Sequence, residues 1–174
     1  MAMTATHRKP HFRRPLQPSP SRSSMHPPSE TETQNAPIVA AVDRSRSATR
    51  SVDAAIDIAR EFGAPLVFVY VRRGPSSTLG EPYYQRRLDG EMRTGKRALD
   101  DALARAERAG VPASGEQLAG DPARRIVEFA RHRDARLVVL GSRRRRLGRS
   151  VSRRVIRSAD RPVVVGGRAA PVAA

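Results

Sequence analysis

Between Leu140 and Val151 the chain gathers residue types that handle phosphate: Gly141-Ser142, an arginine run from Arg143 to Arg146, Gly148 and Ser150. A Gly-Ser turn that follows a strand and leads into a helix leaves several backbone N–H groups unpaired and aimed one way. That is the chemistry of an anion site. Guanidinium groups beside such a turn match the oxygens of a phosphate. A plainer reading stands beside each of these residues. Gly141 also serves as a tight-turn glycine, Ser150 as a helix N-cap, and the arginine run as a solvated loop.

No reaction centre accompanies this stretch. The sequence holds no Cys, no nucleophile elbow and no intact Walker loop, and no His stands near a credible Ser nucleophile. The acids are spread along helix faces. His7, His11 and His26 are irregularly spaced, His132 lies on the polar side of a helix, and no carboxylate cluster joins them, so no metal site is expected. The expectation is a protein that binds and does not catalyse.

The elements that must position these residues begin at Pro37. Ile38–Val42 is a buried-strand run ending in Asp43. Ser47 is a plausible N-cap for a helix whose apolar positions Val52, Ala55, Ile56 and Ala59 follow the 3.6-residue spacing to a stop at Gly63. Pro65–Val71 is a second strand. A Gly/Pro/Ser-rich loop from Arg72 to Pro82 precedes a long helix over Tyr83–Ala109. Its inner face is read as Leu88, Met92, Leu99, Leu103 and Ala106, with Gly90 and Gly95 weakening its early turns. Val111–Leu118 is half-polar and belongs toward a sheet edge. Asp121-Pro122 then starts a helix as N-cap and first helical residue, with Ile126, Val127, Phe129 and Ala130 as its apolar stripe. A strand at 136–140, the basic loop, a helix over about 150–159 and a strand at 162–166 complete the pattern.

Strands that alternate with helices pair in parallel through right-handed crossovers. The fold class is therefore α/β, a three-layer sandwich around a five-stranded parallel sheet. Ligands of such sheets bind beyond the carboxyl ends of the strands, where strand order reverses. Asp43, ending the first strand, and Gly141, ending the fourth, belong there.

The chain has 174 residues, with 33 Lys+Arg against 17 Asp+Glu and a formal net charge of +16. This balance attracts polyanions, though a codon preference for arginine accounts for it equally well. With aromatics at only 4% and none interleaved with the arginines, a dedicated nucleic-acid site is not indicated. Charge alone gives salt-sensitive, nonspecific binding. No apolar stretch nears the roughly 18 residues of a membrane span, and no signal-peptide core follows Met1. A cytoplasmic protein with no membrane partner is expected. Residues 1–36 are rich in Pro, Ser and Arg without apolar clustering and read as a disordered basic tail. They also share the Arg/Ser bias of an organellar transit peptide, but lack its amphipathic stripe. Residues 168–174 read as a second disordered end.

Taken together, Ile38-Val-Ala-Ala-Val-Asp43-Arg-Ser45, the strand ending at Val71, Gly120-Asp-Pro122, and Leu137-Val-Val-Leu-Gly-Ser142 continuing to Ser150-Val-Ser152 resemble a universal stress protein domain over about residues 36–167. The resemblance implies the adenine-nucleotide alpha-hydrolase-like (Rossmann-like) version of the fold. It also implies a stress-response module, and a homodimer that pairs through the last strand, 163–166. Many members bind ATP or another adenine nucleotide. By position, Asp43 matches the residue that contacts adenosine and Val71 the one bordering adenine. Gly141 matches the first glycine of the phosphate loop and Ser150 its terminal hydroxyl, with Val151 beside it. Arg144 stands where that loop has its second glycine, Arg149 at the third with Gly148 one place early, and the segment is about five residues short. Glycine there lets backbone N–H groups approach a phosphate closely. Arginine, including Arg143 and Arg144, restores charge but not that approach, so weak nucleotide binding is the expectation. The alternative is an interaction protein that presents its arginine-rich face to acidic protein or nucleic acid.

Overall fold

The computed structural model describes residues 36–43, 46–74, 80–81, 83–142 and 150–166. The expected tail, the C-terminal end, most of the Arg72–Pro82 loop and Arg143–Arg149 lie outside them.

Among the described residues, five strands and four helices alternate: β1 (Ile38–Val42), α1 (Arg46–Phe62), β2 (Leu66–Arg72), α2 (Tyr83–Arg108), β3 (Ala113–Ala119), α3 (Pro122–His132), β4 (Leu137–Gly141), α4 (Val151–Ser158) and β5 (Val163–Gly166). All pairings are parallel, in the order β3-β2-β1-β4-β5. The expected three-layer α/β architecture is present, with the half-polar β3 at one edge and β5 at the other.

The two-residue period of each strand sorts its side chains between two cores. Ile38, Ala40 and Val42 of β1, with Leu66 and Phe68 of β2, pack against Val52, Ala55, Ile56 and Ala59 of α1 and Leu99, Ala102 and Ala106 of α2. On the other face Val39, Val67, Val69, Val138 and Leu140 pack against Ala123, Ile126, Val127 and Ala130 of α3 and Val155 of α4. The central strands are apolar on both faces because helices cover both. Each fully buried Val, Ile or Phe contributes about 1.5–3 kcal/mol relative to exposure.

Several local expectations need correction. Helix α1 begins at Arg46, so Ser47 lies inside its first turn and is not its N-cap. Met92 is 47% exposed and does not belong to the inner face of α2. Strand β3 starts at Ala113, while Val111 is buried just ahead of it. Gly95 is a packing residue, buried against Tyr70 and Gln117. By contrast, Gly63 ends α1 as expected, with φ +58° and the Ala64 N–H bonded to Ala59 O at 3.0 Å. Phe62, though 44% exposed, lies beneath the Arg136 guanidinium at 4.2 Å.

Candidate functional site

Strand order reverses between β1 and β4, the neighbours whose connections run to opposite edges of the sheet. Beyond their carboxyl ends lies a cleft of about 190 Å³, lined by Ala41, Val42, Asp43, Val69, Val71, Pro122, Ile126, Leu140, Gly141, Ser150, Val151 and Ser152. The topology brings together Asp43, Val71, Gly141, Ser150 and Val151, which lie up to 108 positions apart in sequence. Arg143, Arg144 and Gly148 fall outside the described residues.

Aliphatic side chains from β1, β2, β4 and α3 form the floor, and the polar groups are few and on the rim. Asp43 is exposed and is the one ionisable side chain among the described lining residues. This division, an apolar slot with a few convergent polar groups, suits a flat heterocycle carrying a polar substituent.

Backbone bonding revises the expected source of anion donors. The Ser142 N–H is not free, because it donates to Gly166 O at 3.1 Å and extends the β4–β5 ladder. Among the described residues, the unspent donors are those of the first turn of α4. Its first helical bond runs from the Arg154 N–H to Ser150 O at 3.2 Å, and the N–H groups ahead of it have no intrahelical acceptor. Ser150 does occupy the N-cap position, with extended φ and ψ, but its side chain makes no cap hydrogen bond. The first turn of α4 is therefore open toward the cleft.

Two contacts hold α4 in place. The Ser152 hydroxyl donates to Gly141 O at 2.9 Å, tying the helix to the end of β4. Arg154 donates through both terminal nitrogens to the two carboxylate oxygens of Asp121, each at 2.8 Å. Asp121 is also the expected N-cap of α3, accepting from the Arg124 N–H at 3.1 Å. The Arg154 hydrogen bonds first, and the Arg124 N–H second, hold the Asp121 carboxyl below its ordinary value. Gly120 makes this turn possible: its φ of +128° suits glycine, and a β-carbon there would meet Arg125 Nε at 3.0 Å.

Pro122, Ile126, Leu140, Ser152 and the Arg154–Asp121 bridge were not anticipated as parts of the site. Pro122 carried a usable signal, since the start of a helix that follows a strand lies at the strands' carboxyl end. Arg154 carried none, because its partner is 33 positions away. Among the described residues no group of three or more His, Asp or Glu side chains could hold a metal. No described helix is long and apolar enough to cross a membrane.

Comparison with known proteins places this geometry. Residues 35–165 match the model of the universal stress protein family. A universal stress protein of Methanocaldococcus jannaschii is 37% identical over 136 residues, 74% of this chain and 79% of the relative. The crystal structure of a universal stress protein family member from Burkholderia pseudomallei is 33% identical, with a TM-score of 0.65, over 76% of this chain and 96% of that one. The universal stress protein of Archaeoglobus fulgidus, solved in complex with dAMP, is 32% identical with a TM-score of 0.62, over 75% of this chain and 96% of that one. The chain belongs to the universal stress protein family.

Proposed function

We propose that the protein is a cytoplasmic, homodimeric stress-response module whose cleft binds ATP or another adenine nucleotide weakly. The observation that carries this reading is the meeting of Asp43, Val71, Gly141 and Ser150 around one apolar-floored cleft at the strand-order reversal. The Archaeoglobus fulgidus relative, solved with dAMP, supports the ligand class. Adenine fits the aliphatic slot beside Val71, and the Asp43 carboxylate accepts hydrogen bonds from the adenosine moiety. The phosphates face the open first turn of α4, where N–H groups and the helix dipole favour an anion. Arg143 and Arg144 add charge on the same stretch of sequence, and Gly148 is a remnant of the phosphate loop. Binding without turnover is the reading, since Asp43 is placed for recognition and no second ionisable group among the described lining residues orients a water.

Calorimetric titration with ATP and adenosine tests this. Asp43→Ala should weaken both ligands by about tenfold, roughly 1.4 kcal/mol. Neutralising Arg143–Arg146 should weaken ATP and spare adenosine, and ATP affinity should fall steeply with salt. Equal loss of both ligands in the arginine variant would exclude the loop as a phosphate site.

A second reading, an interaction protein for polyanions, has its own observation. Arg153 and Arg157 are exposed one turn apart on α4 and form no ion pair among the described residues, whereas Arg124, Arg125 and Arg131 of α3 are paired. Binding to an oligonucleotide that Arg153→Gln/Arg157→Gln abolishes, with no detectable nucleotide binding at millimolar ATP, would favour it.

A further inference from the structure

The bridge between α3 and α4 bears on the phosphate end of the cleft, and the role assigned to it rests on the nucleotide reading. Helix α4 has eight residues, too few to be stable without tertiary anchors. Val155 is its one fully buried side chain, set among the residues that pack on α3 and the sheet. The Ser152 hydroxyl fastens it to Gly141 O. Val151 is partly buried against the same core, and these anchors lie along one side of the helix, which leaves it free to roll slightly. A further anchor, set apart from them, is the bidentate contact from Arg154 to Asp121, the N-cap of α3.

We propose that Arg154 is a positioning residue for the phosphate end of the bound nucleotide, fixing through Asp121 the roll of α4 and hence the aim of the N–H groups in its first turn. Among the described residues, those N–H groups are what the cleft offers an anion, because Ser150 does not consume them and the Ser142 N–H is spent on β5. Hydrogen bonds of this kind weaken steeply as angles depart from linear, so a small roll costs affinity for phosphate while leaving the adenine slot intact. Asp121 takes one N–H from each terminal nitrogen of Arg154, and Arg154 is not among the residues that line the cleft, so its action on the ligand runs through the helix. The two side chains are about half exposed, at 48% and 41%, so the pair contributes little to global stability.

The test is titration of AMP and adenosine into the full chain and into Arg154→Ala, Arg154→Lys, Asp121→Asn and the double variant Asp121→Asn/Arg154→Ala. AMP affinity should fall about tenfold in Arg154→Ala and in Asp121→Asn, and no further in the double variant, because both break one contact. Adenosine affinity should change less than about twofold throughout, and Arg154→Lys should recover part of the AMP affinity. Asp121→Asn keeps a cap acceptor on α3, so it remains informative if Arg154→Ala unfolds. AMP binding in Asp121→Asn as tight as in the parent chain would overturn the proposal, since freeing Arg154 should then cost something. Equal loss of adenosine and AMP would overturn it as well, by revealing general damage to the cleft. A parent chain that binds neither ligand at millimolar concentration would sink the nucleotide reading itself. A parent that binds AMP, with both single variants unchanged, would sink only the role of Arg154.

Discussion

A β-carbon on Gly95 would lie 2.5 Å from Gln117 Nε2 and 2.6 Å from Tyr70 Cδ1, closer than atoms pack. Glycine is there so that α2 can approach β2 and β3. Gln117 can swing aside at its amide end, but the Tyr70 ring lies in the core that α2 covers. Gly95→Ala should therefore destabilise by about 1–2 kcal/mol, because overpacking outweighs the gain in helix propensity. Gly90, on the same helix, has nothing within 4 Å of its would-be β-carbon. There Ala should stabilise by about 0.5–1 kcal/mol. Thermal unfolding checks both, with midpoints moving in opposite directions by about 3 °C per kcal/mol. Both glycines read alike in sequence, as helix weakeners. Their difference lies in what faces them across the sheet.

At the scale of elements, the two helices that wall the cleft begin in contrasting ways. Asp121 caps α3 and also receives Arg154, whereas Ser150 sits at the N-cap of α4 without capping it. Ser150→Ala should cost less than about 0.5 kcal/mol, below the roughly 1 kcal/mol of a working cap. Asp121→Asn retains the cap acceptor but loses the charged partner of Arg154. Because the fold holds the Asp121 carboxyl below its ordinary 3.8, its stabilising contribution is present above that range and fades as pH falls through the lowered value. The parent chain should exceed Asp121→Asn by about 0.5–1 kcal/mol at pH 7, an amount limited by solvent exposure. The two should converge as the pH falls through that lowered value. Urea unfolding over a series of pH values from 7 downward measures this, and a gap that does not shrink with acid would show that the charge is not its source. The Asp121-Pro122 start was legible because capping is local chemistry. The partner of Asp121 was not, because α3 and α4 meet only in the folded chain.

For the whole molecule, the open question is the sheet edge. Strand β5 is a terminal strand, and Val163, Val164 and Val165 are only partly covered. Ile156 on the neighbouring α4 is 52% exposed. An unprotected Val-rich edge is an aggregation hazard, and pairing with a second copy removes it. We expect a homodimer through β5: light scattering at tens of micromolar should give twice the 19.1 kDa of one chain. A monomer mass would refute it. The folded unit is proposed to start near residue 36, so a chain beginning at Ala36 should dimerise equally well.

The sequence by itself determined the order of elements, the parallel sheet and the edge position of β3, because these follow from periodicity, capping residues and polarity, all of which act over a few residues. It also placed Asp43 and Gly141 at the strand ends beside the reversal, since that is a consequence of topology. Only the tertiary structure decided which remaining groups the cleft can use. The Ser142 N–H was lost to the β5 ladder, Ser152 was turned back onto Gly141, and Arg154 was set on Asp121. Hydrogen-bonding groups choose among all partners within about 3 Å, and that choice depends on which distant elements the packed core brings together.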